Sequence, residues 1–147
     1  MITDSSIEIE APTSVVWDVF VDVERWSTWT ASIERITPLD GPGIEVGNRF
    51  EIQQPKFPKL VWEVTAVEPG TSWTWEQRSP GGTTLATHEL VDLGGGRTLV
   101  RQRIDQRGPI GVLVGAITRG LTRRYLALEG EGLKATSEQR QRGASAA

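Results

Sequence analysis

The chain has 147 residues, a length suited to one domain that buries about two thirds of its unfolded surface and too short for two ordinary ones. It contains no cysteine and a single histidine, His88. That excludes disulfides, thiolate zinc sites, a cysteine nucleophile and histidine-rich metal clusters, and leaves only His88 for a Ser-His-Asp arrangement. The net charge of −3 is unevenly spread: residues 1–96 hold six Lys or Arg against fifteen acids, and residues 97–142 hold ten against four.

The amino-terminal SSIEIEA alternates apolar and acidic residues with Ile7 and Ile9 on one face, as a half-buried strand does. An acidic, alternating start resembles neither a secretory signal nor a transit peptide. No apolar run approaches the roughly 20 residues that span a bilayer, so a cytoplasmic protein without stable membrane insertion is expected. Pro12 and Thr13 stop the strand and open a helix at SVVWDVFVDV, with Val16, Trp17 and Phe20 on its apolar side. Asp22 can cap a second, short helix over residues 23–29, which sets Trp26 and Trp29 three positions apart on one face. Two roles are open to this pair, a plug in the core or the rim of a pocket.

From residue 31 to residue 107 the pattern has period two, broken by the turn signals PLDGPG, QPKFPK, EPG, SPGG and LGGG. Six strands fit between the breaks, near residues 32–38, 48–54, 60–68, 71–79, 83–93 and 97–106, and the short connections predict an antiparallel meander. Pro55 and Pro58 cannot donate ladder hydrogen bonds, so their segment is expected to be a loop or sheet edge. After Gly108 and Pro109, residues Ile110, Leu113, Val114, Ile117, Leu121, Tyr125 and Leu128 recur at helical spacing and predict one long amphipathic helix to about residue 138. Glycines inside it cost about 0.8–1 kcal/mol each relative to alanine, which implies close approach to something or tolerated bending. The segment 139–147 has no apolar face and is expected to be a flexible tail, leaving one domain over residues 1–138.

Seven strands, two short helices after the first and a long last helix make an α+β protein. Packing the stripe of the last helix across the concave face of a curved antiparallel sheet buries both, and the gap that remains is a place for a small molecule. The segments SIEIEAPTSVVWDVFVDVERWSTWTASI, GPGIEVGNRFEI, LVWEVTAVEPGTSWTWE, THELVDLGGGRTLVRQRI and GLKATSE, in that order over about residues 5–138, resemble the START-like or SRPBCC superfamily, particularly its polyketide cyclase/dehydrase-like branch. The resemblance implies a helix-grip fold with a cavity. Its members bind lipids, sterols, polyketides or other hydrophobic molecules, and a minority catalyse cyclisation or dehydration. No shared catalytic motif carries over, so fold alone does not assign a reaction.

Period two sorts the strands into faces and turns Phe50, Ile52, Trp73, Trp75, Gln77, Ala86, His88, Leu90, Val100, Gln102 and Ile104 inward, with Trp62 and Val64 beside them. The candidate ligand-binding set is therefore Trp29, Phe50, Ile52, Trp62, Trp73, Trp75, Gln77, His88, Leu90, Gln102 and Ile104, with Ile117, Leu121 and Arg124 from the last helix. His88 is the one candidate general acid or base, and the alternative for it is a buried neutral ring satisfied by a neighbour. No cofactor, metal or nucleic-acid partner is expected, and the chain is expected to be a monomer or homodimer. Three functions fit: binding of a small hydrophobic molecule, a cyclase or dehydratase acting in the same cavity, and a non-catalytic interaction module using the basic carboxyl-terminal helix.

Overall fold

The sequence alternation resolves into seven strands in a computed structural model that describes residues 1–146. The order is β1 (Ile2–Ile9), α1 (Thr13–Val21), a 3₁₀ helix (Val23–Thr28), β2 (Arg35–Pro38), β3 (Arg49–Gln53), β4 (Leu60–Glu68), β5 (Ser72–Ser79), β6 (Gly82–Gly94), β7 (Arg97–Arg107) and α2 (Gly108–Ala146). The strands form one antiparallel sheet, β1-β7-β6-β5-β4-β3-β2. Strands β2 to β7 are the expected meander, and β1 closes it by pairing with β7. Register shifts between Val64 and Ala66 and between Asp92 and Gly94 bend β4 and β6 as bulges do. The long helix α2 lies against β1, β6 and β7, which completes a helix-grip fold.

Helix α1 is rich in valine, a poor intrinsic helix former, so it is held by burying Val16, Val19 and Phe20 rather than by propensity. Its entry is set by Pro12, whose carbonyl accepts the N–H groups of Val15 and Val16 at 3.1 Å. Trp17 is half-buried and packs on the rim of the core. The expected Asp22 cap is absent: no side-chain cap bond forms, and the carboxylate instead pairs with Arg25 at 3.2 Å.

The core fills one end of the concave face. Trp26 is 1% exposed, donates its indole N–H to the Phe20 carbonyl at 2.8 Å and stacks on the Phe20 ring at 5.6 Å. Trp73, Trp75 and His88 meet it from the sheet, and Leu133 of α2 closes the cluster from above.

Two expectations for the last helix need correction. It continues to Ala146 instead of ending near residue 138, although nothing apolar drives the extra turns. Its buried face also differs from the apolar stripe read from the sequence. Ile117 is 76% and Leu113 56% exposed, while Gly111, Gly115, Leu126, Glu129, Leu133 and Ser137 are buried. The cause lies at the start of the helix, which meets the sheet backbone to backbone: a Cβ on Gly82 would sit 2.7 Å from the Gly111 nitrogen. A Cβ on Gly108 would likewise meet the Gly81 carbonyl oxygen at 2.6 Å, so the helix start is held at backbone distance from the β5–β6 turn, with Gly111 and Gly115 on its inner side and the large apolar residues turned out. Further along, a Cβ on Gly132 would overlap the Trp29 carbonyl oxygen, so this glycine lets the 3₁₀ helix and α2 touch.

Candidate functional site

Where the aromatic core stops, the space between sheet and helix stays open as a cavity of about 380 Å³. That is within the roughly 300–1,000 Å³ of small-molecule sites. Ile52, Trp62, Trp75, Gln77, Ala86, His88, Gln102, Ile104 and Gln106 line it from the sheet. Ile110, Gly111, Val114, Thr122, Tyr125, Leu126 and Glu129 line it from α2, and Gln54, Phe57 and Pro58 from the β3–β4 loop. Trp26 closes the end nearest the core.

Seven of the residues selected from the sequence meet at this cavity: Ile52, Trp62, Trp75, Gln77, His88, Gln102 and Ile104. Strand register brings them together, since Trp73 pairs with His88 and His88 with Gln102 across β5, β6 and β7. Phe50, Trp73 and Leu90 point inward as expected but are packed in the core, away from the cavity wall. Trp29 is half-buried against Gly132, outside the cavity. Ile117 and Arg124 lie on the exposed face of α2, and Leu121 is half-buried beside it. None of these three reaches the wall.

His88 is 4% exposed and stacks on Trp73 at 3.7 Å between centroids, with the Phe20 ring edge-on at 5.2 Å. Burial among aromatic rings lowers its pKa from 6.5 to about 3, so the ring is neutral near pH 7. Its Nδ1 lies 3.2 Å from the Trp73 carbonyl, which can only accept. Nδ1 therefore carries the proton, and Nε2 is left as an acceptor. Gln102 donates from Nε2 to the Leu126 carbonyl at 3.4 Å, which ties β7 to α2, while its Oε1 is buried without a partner. Gln77 is turned along its own strand, donating to the Arg78 carbonyl at 2.9 Å and to Ser79 Oγ at 2.6 Å.

The sequence reading missed Glu129. This carboxyl lines the cavity, is 8% exposed, and has no hydrogen bond or ion pair among the described residues. Burial pushes its pKa from 4.5 to about 8, so it is largely protonated near pH 7 and can donate. A signal was present, because Thr122, Leu126, Glu129, Leu133 and Ser137 recur at spacings of three and four on one helix face. Tyr125 is a second cavity residue outside the set drawn from the sequence. Its hydroxyl donates to the Pro55 carbonyl and its ring meets Phe57 edge-on at 5.9 Å, which fastens the β3–β4 loop to α2 at the cavity. Among the described residues no group of three His, Cys, Asp or Glu could hold a metal ion.

A curved antiparallel sheet gripping a long helix, with an apolar cavity between them that carries a few uncharged polar groups, defines a helix-grip cavity protein. Residues 2–138 match the family model described as polyketide cyclase / dehydrase and lipid transport, and the chain belongs to that family. Among curated proteins none matches it in sequence. Among solved structures, a hypothetical protein from Helicobacter pylori aligns with a TM-score of 0.78 at 14% identity, over 93% of this chain and 88% of that one. The Zhui aromatase/cyclase of a Streptomyces species aligns with a TM-score of 0.74 at 14% identity, over 95% of this chain and 94% of that one. Norcoclaurine synthase from Thalictrum flavum, solved with dopamine and hydroxybenzaldehyde, aligns with a TM-score of 0.71 at 14% identity, over 92% and 85%. At such identities these likenesses speak for the fold.

Proposed function

We propose that the protein binds a small, mostly apolar and uncharged molecule in the cavity between the sheet and α2. The observation that carries this reading is the chemistry of the wall. Trp62, Trp75, Ile52 and Ile104 supply apolar surface, and the buried ionisable side chains His88 and Glu129 are both shifted toward their neutral forms, while Arg103, also in the lining, is exposed and turns its guanidinium to Asp4 at 2.7 Å. Such a wall gives a ligand one acceptor at His88 Nε2 and one donor at Glu129 without a fixed charge to neutralise. The family description, with its polyketides and lipids, supports the same class of cargo.

Because Trp26, Trp62 and Trp75 all border the cavity, ligand entry should change tryptophan emission. A titration with fatty acids, sterols and aromatic polyketides is expected to give saturable changes with the neutral compounds, and weaker ones with ionised fatty acids. Emission that no compound moves would remove the binding reading.

A second reading, a cyclase or dehydratase, is favoured by one observation, the protonated carboxyl of Glu129 inside an apolar space. A group poised near the working pH is what general-acid catalysis of dehydration requires, with the cavity wall holding the substrate in a reactive conformer.

A further inference from the structure

We propose that the exposed amino-terminal half of α2 docks the mouth of the cavity onto an anionic lipid bilayer. Ile110, Val112, Leu113, Val114 and Ile117 are all substantially exposed, and they are consecutive turns of one helix. This exposure is built in, because Gly82 and Gly108 hold the helix start at backbone distance from the β5–β6 turn with Gly111 and Gly115 on the inner side. Ile110 and Val114 also line the cavity, so the apolar patch is continuous with its mouth.

The charge beside this patch says what covers it. Arg119, Arg123 and Arg124 follow on the exposed side of the same helix and make no ion pair among the described residues. The arginines of β7 are different: Arg97, Arg101, Arg103 and Arg107 are matched by Glu8, Glu89, Asp4 and Asp105. The basic surplus of the carboxyl-terminal third therefore sits on α2. Across the mouth, exposed Lys56 and Lys59 flank Phe57 and Pro58 on the loop that Tyr125 fastens. Five exposed cations thus lie on the helix and the loop that frame the apolar opening, in a chain whose net charge is −3, with Arg124 on the line of the apolar patch and Arg119 and Arg123 on its flank.

At 100° per residue Leu113, Ile117 and Arg124 fall along one outward line, and at 1.5 Å per residue Arg124 lies about 10 Å beyond Ile117. An interfacial helix sinks its apolar face roughly 5–10 Å below the headgroups, so a tilted α2 places apolar side chains in the acyl boundary and guanidinium groups at phosphate level.

Vesicle co-sedimentation of the full chain tests this independently of any cavity ligand. Phosphatidylglycerol vesicles at low salt should pull the protein down, with roughly tenfold weaker binding to phosphatidylcholine vesicles and release at high salt. Leu113→Asn with Ile117→Asn, and separately Arg119→Gln with Arg123→Gln and Arg124→Gln, should each weaken binding by at least about tenfold while leaving the thermal melt unchanged, since these side chains are exposed. Absence of binding to phosphatidylglycerol at low salt, or full binding by both variants, would overturn the proposal. So would concentration-dependent self-association without vesicles that the Leu113 and Ile117 changes abolish, because that assigns the face to a second copy.

Discussion

Replacing Glu129 by Gln should stabilise the protein by roughly 4 kcal/mol near pH 8 and by almost nothing near pH 4. Burial raises this carboxyl from 4.5 to about 8, so above pH 4.5 the unfolded chain releases a proton that the folded chain keeps. Stability tied to Glu129 is complete below that value and falls by about 1.4 kcal/mol per pH unit until the folded group itself ionises. His88 has the opposite sign. Its pKa drops from 6.5 to about 3, so the unfolded chain takes up a proton that the folded chain refuses, and stability present above pH 6.5 is lost toward pH 3. Between about pH 4.5 and 6.5 the two slopes cancel. Denaturant midpoints across this range should show a plateau with a decline on each side. Glu129→Gln should level the alkaline limb and His88→Gln the acid limb. Wild-type stability that fails to fall between about pH 6.5 and 8 would contradict a protonated carboxyl in the cavity.

The second large effect separates the two tryptophans of RWSTWT. Trp26→Ala should cost about 3–5 kcal/mol, since it empties the centre of the aromatic core and strands the Phe20 carbonyl. Trp29→Ala should cost clearly less. Its ring is half-buried, and the tightest part of its contact with Gly132 is made by the backbone carbonyl, which the substitution keeps. Urea unfolding of both variants decides the matter. Equal losses would mean that the Trp29 ring carries core packing that its exposure does not reveal.

The sheet was legible because alternation has only two phases, and burying one face of a strand fixes both. His88, Gln102, Trp75 and Gln77 therefore fell on the expected side, with their neighbours in register. The helix was not legible in the same way. Apolar periodicity finds a stripe, and the stripe normally marks the buried face, but at Gly82 the contact distance overrides it: backbone meets backbone, glycines win the inner positions, and Leu113 and Ile117 face out. That rotation hid Glu129, which reads as an ordinary surface acid unless the helix is phased on Gly111, Gly115, Leu126 and Leu133. The β3–β4 loop was seen as a break in pairing, yet its role at the cavity depends on a bond from Tyr125 to Pro55, seventy residues apart, that no local pattern encodes.

Native mass spectrometry of the chain purified from its own host decides whether the cavity holds a small uncharged molecule. Ala86 lies on the cavity floor between Trp75 and Ile104, so Ala86→Phe fills the space from a buried position. The wild type should carry a co-purifying small molecule that denaturation releases, and folded Ala86→Phe protein should lack it. A wild-type spectrum of bare protein that also takes up no compound from the fluorescence panel, or an adduct retained unchanged when the cavity is filled, would mean that the cavity is not a binding site.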